Sequence, residues 1–226
     1  ELLTHKPKPH LYLYIISTFL FSQITTKPQN KTSFFSLPNM ATMFTLLFLL
    51  LTLLSFATST PSSFIKTSCS TTQYPTLCVQ SLSVYASTIQ QDPHQLVQTA
   101  LSLSLNKTQS TKGFVTMCKS FKNLKPSEYA ALHDCAEEIS DSVDRLSRSL
   151  KELKLCKING QDFNWHISNV ETWVSSALTD ESTCGDGFSG KALDGKIKAS
   201  IRSRMVNVAQ VTSNALSLIN QYAAKH

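Results

Sequence analysis

The sequence predicts an all-α protein: an antiparallel four-helix bundle preceded by a short disulfide-stapled helical hairpin. Three observations predict it. Residues 127–226 contain no proline, and a hundred residues without the strongest helix breaker allow long helices. Four segments beyond residue 92 carry apolar side chains at alternating steps of three and four, the spacing of one helix face. No alternating strand pattern competes after residue 61. Helices with one apolar stripe each, joined by short loops, can bury those stripes only against one another, and the antiparallel bundle is the economical solution.

The first bundle helix is announced by Asp92-Pro93-His94-Gln95, an N-cap aspartate with proline at the first helical position. Behind it Leu96, Ala100 and Leu103, with Val97, Leu101 and Leu105, supply a buried face. The second spans Ser127–Leu153, where Tyr129, Leu132, Ala136, Ile139, Val143, Leu146, Leu150 and Leu153 form one stripe. Opposite it, Asp141 with Arg145 and Asp144 with Arg148 are placed to pair at i,i+4, each favouring the helix by a few tenths of a kcal/mol. For the third, Ser168-Asn-Val-Glu171 reads as a capping box, and the helix should stop near Cys184-Gly185-Asp186-Gly187. The last runs from Gly195 to Tyr222. Four of the six glycines (Gly185, Gly187, Gly190, Gly195) are assigned to the connection before it, which should be the most mobile part of the core. Residues 62–87 remain. There Tyr74-Pro75 interrupts any single helix, so Cys69 and Cys78 are expected to staple a hairpin.

The chain has 226 residues, 42% hydrophobic and 16% charged, too apolar for a disordered chain. Its net charge is +6, but beyond residue 60 seventeen basic residues face fourteen acidic ones, interleaved along the chain. A nucleic-acid partner is therefore not indicated. The chain opens at Glu1, and its first methionine is Met40. The apolar stretch Met40–Phe56 is shorter than a comfortable bilayer crossing of about 20 residues and is followed by Ala57-Thr-Ser-Thr-Pro61. This pattern is that of a secretory signal. Residues 1–39 are read as translated leader outside the fold, 40–60 as signal peptide and 61–226 as the bundle domain, with no membrane association once the signal is removed.

All six cysteines (Cys69, Cys78, Cys118, Cys135, Cys156, Cys184) follow the proposed cleavage point. An even number confined to the exported part points to disulfides in an oxidising compartment. No Cys-x-x-Cys pair suggests zinc, and neither metal nor cofactor is expected. Six cysteines allow 15 connectivities. His94, His133, His166 and His226 are scattered and belong to no catalytic motif. Asp134, Glu137, Glu138, Asp141 and Asp144 lie on one helix, whereas a glycosidase pair must flank its sugar from two sides. No catalytic residue is assigned. Asn106-Lys-Thr108 is the one glycosylation sequon after residue 60.

Several stretches together resemble the plant invertase and pectin methylesterase inhibitor family: Cys69-Ser-Thr-Thr-Gln-Tyr-Pro-Thr-Leu-Cys78, Ala130–Leu146 around His133-Asp134-Cys135, Val170–Phe188 around Thr183-Cys184-Gly185, and Val208–Leu216. The resemblance covers about residues 64–222. It implies a four-helix bundle preceded by a hairpin, with disulfides Cys69–Cys78 and Cys135–Cys184. Cys118 and Cys156 lie outside that shared framework and either form a third bridge or stay as thiols.

The resemblance also implies a secreted, non-catalytic protein of the cell wall or apoplast, a monomer that blocks the substrate cleft of its target enzyme one to one. Invertase inhibitors of the family present Pro-Lys-Phe in the loop before the second bundle helix. Here that loop reads Phe121-Lys-Asn-Leu-Lys125-Pro126-Ser127-Glu128-Tyr129, so pectin methylesterase is the expected partner and invertase the alternative. By analogy the contact face includes Asp134, Glu137, Asp141 and Arg145 on the exposed side of the second helix. From other classes, a secretion-assisting pro-region or a storage bundle without inhibitory activity are the competing readings.

Overall fold

Proline and capping chemistry set where the helices begin. The structure, a computed structural model, describes Thr45 and residues 60–156, 160–189 and 195–226. The chain divides into Glu1–Ala57 and Thr58–His226, and the hairpin and the bundle both belong to the second unit. The expected leader, the signal core and most of the glycine-rich connection before the last helix lie outside the described residues.

Helices α1 (Pro61–Cys69) and α2 (Pro75–Leu82) form the hairpin, followed by a 3₁₀ turn (Ser83–Tyr85) and the single turn α3 (Ala86–Ile89). The bundle is α4 (Pro93–Lys119), α5 (Pro126–Leu153), α6 (Phe163–Gly187) and α7 (Lys196–Ala223). Among the described residues there is no strand. Asp92 caps α4 as expected, its Oδ1 accepting from the His94 and Gln95 amides at 2.8 and 3.3 Å. At the start of α5, Glu128 Oε2 accepts from the Lys125 amide at 2.8 Å, an unanticipated cap that satisfies one orphan donor.

Two expectations about α6 need correction. The helix begins at Phe163, five residues before the proposed capping box, and Ser168 is an exposed interior position. Tertiary packing drives the extension: Phe163 is buried, with its ring 5.8 Å from that of Tyr222 and 5.7 Å from that of His226, which is enough apolar burial to order another turn. At the other end Gly185 and Gly187 belong to the helix and not to the loop after it.

Neighbouring helices run antiparallel in the cycle α4, α5, α6, α7, and α7 closes onto α4. Cys135 of α5 and Cys184 of α6 are bonded, with Cα atoms 4.3 Å apart. Cys69 and Cys78 are bonded across the hairpin turn. The hairpin docks on the α4–α7 side, where Asn214 of α7 clamps the Tyr74 backbone. Its Oδ1 accepts from the Tyr74 amide at 2.9 Å, and its Nδ2 donates to the Tyr74 carbonyl at 3.0 Å.

Cys118 and Cys156 are buried thiols, not a third bridge. Cys118 ends α4 and Cys156 follows the end of α5. Antiparallel packing puts those positions at opposite ends of the bundle, separated by about 40 Å at 1.5 Å per residue. They accordingly sit in two different apolar clusters, Cys156 in the one nearer the hairpin and Cys118 in the one nearer the α4–α5 turn.

Between these clusters lies a polar layer to which every bundle helix contributes. Glu181 of α6 is fully buried. Its Oε1 accepts from Thr108 of α4 at 3.1 Å, Ser142 of α5 at 2.9 Å and Thr212 of α7 at 3.0 Å. Ser104 adds a 2.6 Å bond to Thr212. Oε2 has no partner. Burial outweighs the three donated bonds and pushes the carboxyl up to about 7.

Candidate functional site

The acidic positions of α5 at Asp134, Glu137 and Asp141 stay out of the core and face solvent. Asp134 and Glu137 are 80% and 73% exposed, and each has a carboxylate oxygen 3.8 Å from His133 Nδ1. Tyr129, one turn earlier, places its ring 6.4 Å from the His133 imidazole and is itself half exposed. Tyr129, His133 and Glu137 thus line one strip of helix at i,i+4 spacing. Sequence reasoning singles out the two carboxylates and Asp141, gives His133 no role, and counts Tyr129 in the buried stripe of α5; the structure corrects the last, because Tyr129 stands in the first turn of the helix, half exposed. Asp141 is exposed further along the same helix.

Arg145 is placed differently from the expectation. Its Nε donates to Asp180 Oδ2 of α6 at 2.8 Å, so it crosses to the neighbouring helix instead of pairing with Asp141. The reason is burial. Asp180 is only 11% exposed, and a carboxylate out of water gains more from a partner than one already solvated. Even with Arg145 against it, desolvation leaves the Asp180 carboxyl above the usual carboxylate range. The neighbouring Glu138 is raised as well, first by burial and then by repulsion from Asp180 and Asp141. Among the described residues no ion pair joins Asp144 to Arg148.

The arrangement is an exposed, acid-rich helical surface on a rigid support, with Arg145 as an anchored cation at its margin. The Cys135–Cys184 bond fixes α5 to α6 beneath it. Among the described residues no group of three or more His, Cys, Asp or Glu is disposed to hold a metal ion, and no helix is long and apolar enough to cross a membrane. Asn106 of the sequon is exposed on α4, whereas Thr108 is buried in the polar layer.

A family model described as plant invertase/pectin methylesterase inhibitor matches residues 63–218. The chain is 56% identical over 179 residues to a carrot (Daucus carota) protein named 21 kDa protein, covering 78% of this chain and 93% of that one. It is 49% identical over 166 residues to pectinesterase inhibitor 11 of Arabidopsis thaliana, covering 73% and 82% respectively. A crystal structure of a mutant form of a pectin methylesterase inhibitor from Arabidopsis has a TM-score of 0.56 to this fold at 17% identity, over 67% of this chain and 92% of that one.

Proposed function

The chain belongs to the plant invertase/pectin methylesterase inhibitor family, and from that premise we propose that it is an exported inhibitor that blocks the substrate cleft of a plant pectin methylesterase. The observation that carries this reading is the near-half identity to a relative named a pectinesterase inhibitor, sustained over most of both chains. The physical counterpart is a stiff, cross-linked bundle whose polar surface is built for contact. A protein that inhibits by occupation needs preorganised side chains, because rigidity lowers the entropy lost on binding.

Within this proposal the α5 face makes the contact, through Asp134, Glu137 and Asp141, with Arg145 holding α6 in register behind them. A monomer binds one enzyme molecule. Disulfide formation and the exposed Asn106 sequon fit passage through an oxidising secretory route. The bundle domain starts near Pro61, after removal of the preceding residues.

The test is direct inhibition of purified pectin methylesterase and of invertase by the oxidised protein. Inhibition of the esterase alone is the expected result. Inhibition of invertase alone would transfer the target assignment to that enzyme, and inhibition of neither would leave a structural or storage bundle. Replacing Asp134, Glu137 and Asp141 by Asn, Gln and Asn should weaken esterase inhibition at least tenfold while leaving the unfolding midpoint unchanged. Unchanged inhibition would remove the contact from this face.

A further inference from the structure

The interleaving of charge expected along the chain fails in its middle, where the charged residues between Asp92 and Glu128 are all lysines. Helices α4 and α7 contain no Asp or Glu, and between them carry Lys107, Lys112, Lys119, Lys196, Lys198, Arg202 and Arg204. The opposite pair is acidic: α5 carries seven carboxylates against Arg145, Arg148 and Lys151, and α6 carries four carboxylates with no Lys or Arg. Because α4 packs beside α7 and α5 beside α6, the bundle is polarised across its width.

The basic side contains a groove. Its hairpin-proximal part is apolar and covered, with Ala100, Leu103, Val211 and Leu218 facing Cys78 and Leu82. Past the end of that cover the crevice between α4 and α7 opens to about 370 Å³, lined by Lys107, Ser110, Thr111, Ser203, Arg204 and Asn207. Two cations share this wall with hydroxyls and an amide and with no carboxylate. Both cations are held in place: Lys107 Nζ donates to Asn207 Oδ1 at 3.0 Å, and the Arg204 guanidinium lies 4.0 Å over the Phe114 ring, which leaves the donor edge of its fork available to an anion.

We propose that this α4–α7 groove is a binding site for an acidic polysaccharide, a chain of uronate units whose carboxylates meet Lys107 and Arg204 and whose hydroxyls meet Ser110, Ser203 and Asn207. The groove calls for an anion that is also rich in hydroxyls, and the excess positive charge of both flanking helices favours a polymeric one. The choice of uronate rests on the proposed target: hydrolysis of a pectin methyl ester by water releases methanol and a proton and leaves a carboxylate on the sugar. The inhibitor would therefore be retained where the target's product accumulates, using a face separate from the acidic one that meets the enzyme.

Affinity electrophoresis through gels containing polygalacturonate, fully methyl-esterified pectin or dextran sulfate tests the site, with calorimetry on a defined oligogalacturonate. Polygalacturonate should retard the protein and the methyl ester should not. The double variant Lys107→Gln/Arg204→Gln should bind the oligogalacturonate at least tenfold more weakly, whereas Lys151→Gln/Lys154→Gln should bind as before, both with unchanged circular dichroism and esterase inhibition. Equal or stronger retardation by dextran sulfate, or unweakened binding by the first variant, would overturn the site in favour of diffuse attraction to any polyanion. Sedimentation showing self-association that the same variant abolishes would assign the basic face to the acidic face of a second copy instead. The two proposals fail separately, because lost inhibition with intact uronate binding removes only the methylesterase reading.

Discussion

Replacing Glu181 by glutamine should flatten the pH dependence of this protein's stability, removing the loss that the parent suffers between acid and neutral pH. The carboxyl is raised to about 7 in the folded chain against 4.5 for an unperturbed glutamate. A raised carboxyl binds its proton more tightly when folded, so its contribution is fully present below 4.5 and is lost as pH rises towards and through 7. At 1.36 kcal/mol per unit, the loss between pH 4.5 and pH 8 is about 3 kcal/mol. Glutamine keeps the Oε1 acceptor for Thr108, Ser142 and Thr212. It places an amide where Oε2 has no partner, at a cost of about 1–3 kcal/mol. The variant should therefore be less stable than the parent at pH 4.5 and no less stable at pH 8. Urea unfolding with disulfides intact, at pH 4.5, 6 and 8, reads this as a midpoint that falls more steeply with pH in the parent than in Glu181→Gln, where the raised carboxyls of Asp180 and Glu138 remain. Glu152 titrates in the opposite sense, lowered by its bonds to His166 and Asn169, and is common to both proteins. Parallel pH profiles for parent and variant would refute the assignment of this titration to the polar layer.

Removing the long-loop disulfide with Cys135→Ser/Cys184→Ser should cost about 4 kcal/mol by chain entropy for a separation of 49 residues, seen as a lower denaturant midpoint. Asn214→Ala strips both partners from the Tyr74 backbone and should cost about 2 kcal/mol, with faster proteolysis at the hairpin turn before global unfolding. Arg145→Ala leaves the buried Asp180 unpaired and should cost about 1 kcal/mol at neutral pH, and less as acidification protonates Asp180, whose carboxyl burial already raises; an equal loss at neutral and acid pH would show that only packing was removed. Cys118 and Cys156 are buried thiols whose burial raises both, Cys156 to about 11, so a disulfide-exchange reagent should find no reactive thiol in the native protein and two after denaturation.

Much of the fold is legible in the sequence because its signals are local. The stripe Leu132, Ile139, Val143, Leu146, Leu153 defines α5 by spacing alone, and all five side chains are buried. Asp92 with Pro93 marks the start of α4 through backbone donors two and three residues away. The start of α6 escapes sequence reasoning because Ser168-Asn-Val-Glu171 is a valid local signal overridden by a distant one, the burial of Phe163 against Tyr222. The partner of Arg145 escapes it for the same reason: Asp141 is the nearer residue in sequence, but Asp180 is the one short of water.

Sequence by itself determined that the bundle helices form, most of their apolar faces and the Asp92 cap of α4, since each depends on residues within a turn or two. It also carried the family motifs. Tertiary structure alone decided which polar groups share a space: Glu181 with three hydroxyls from three other helices, Asp180 with Arg145, and the cations of α4 beside those of α7. Desolvation and Coulomb forces act between neighbours in space, and in an antiparallel bundle those neighbours lie tens of residues apart along the chain.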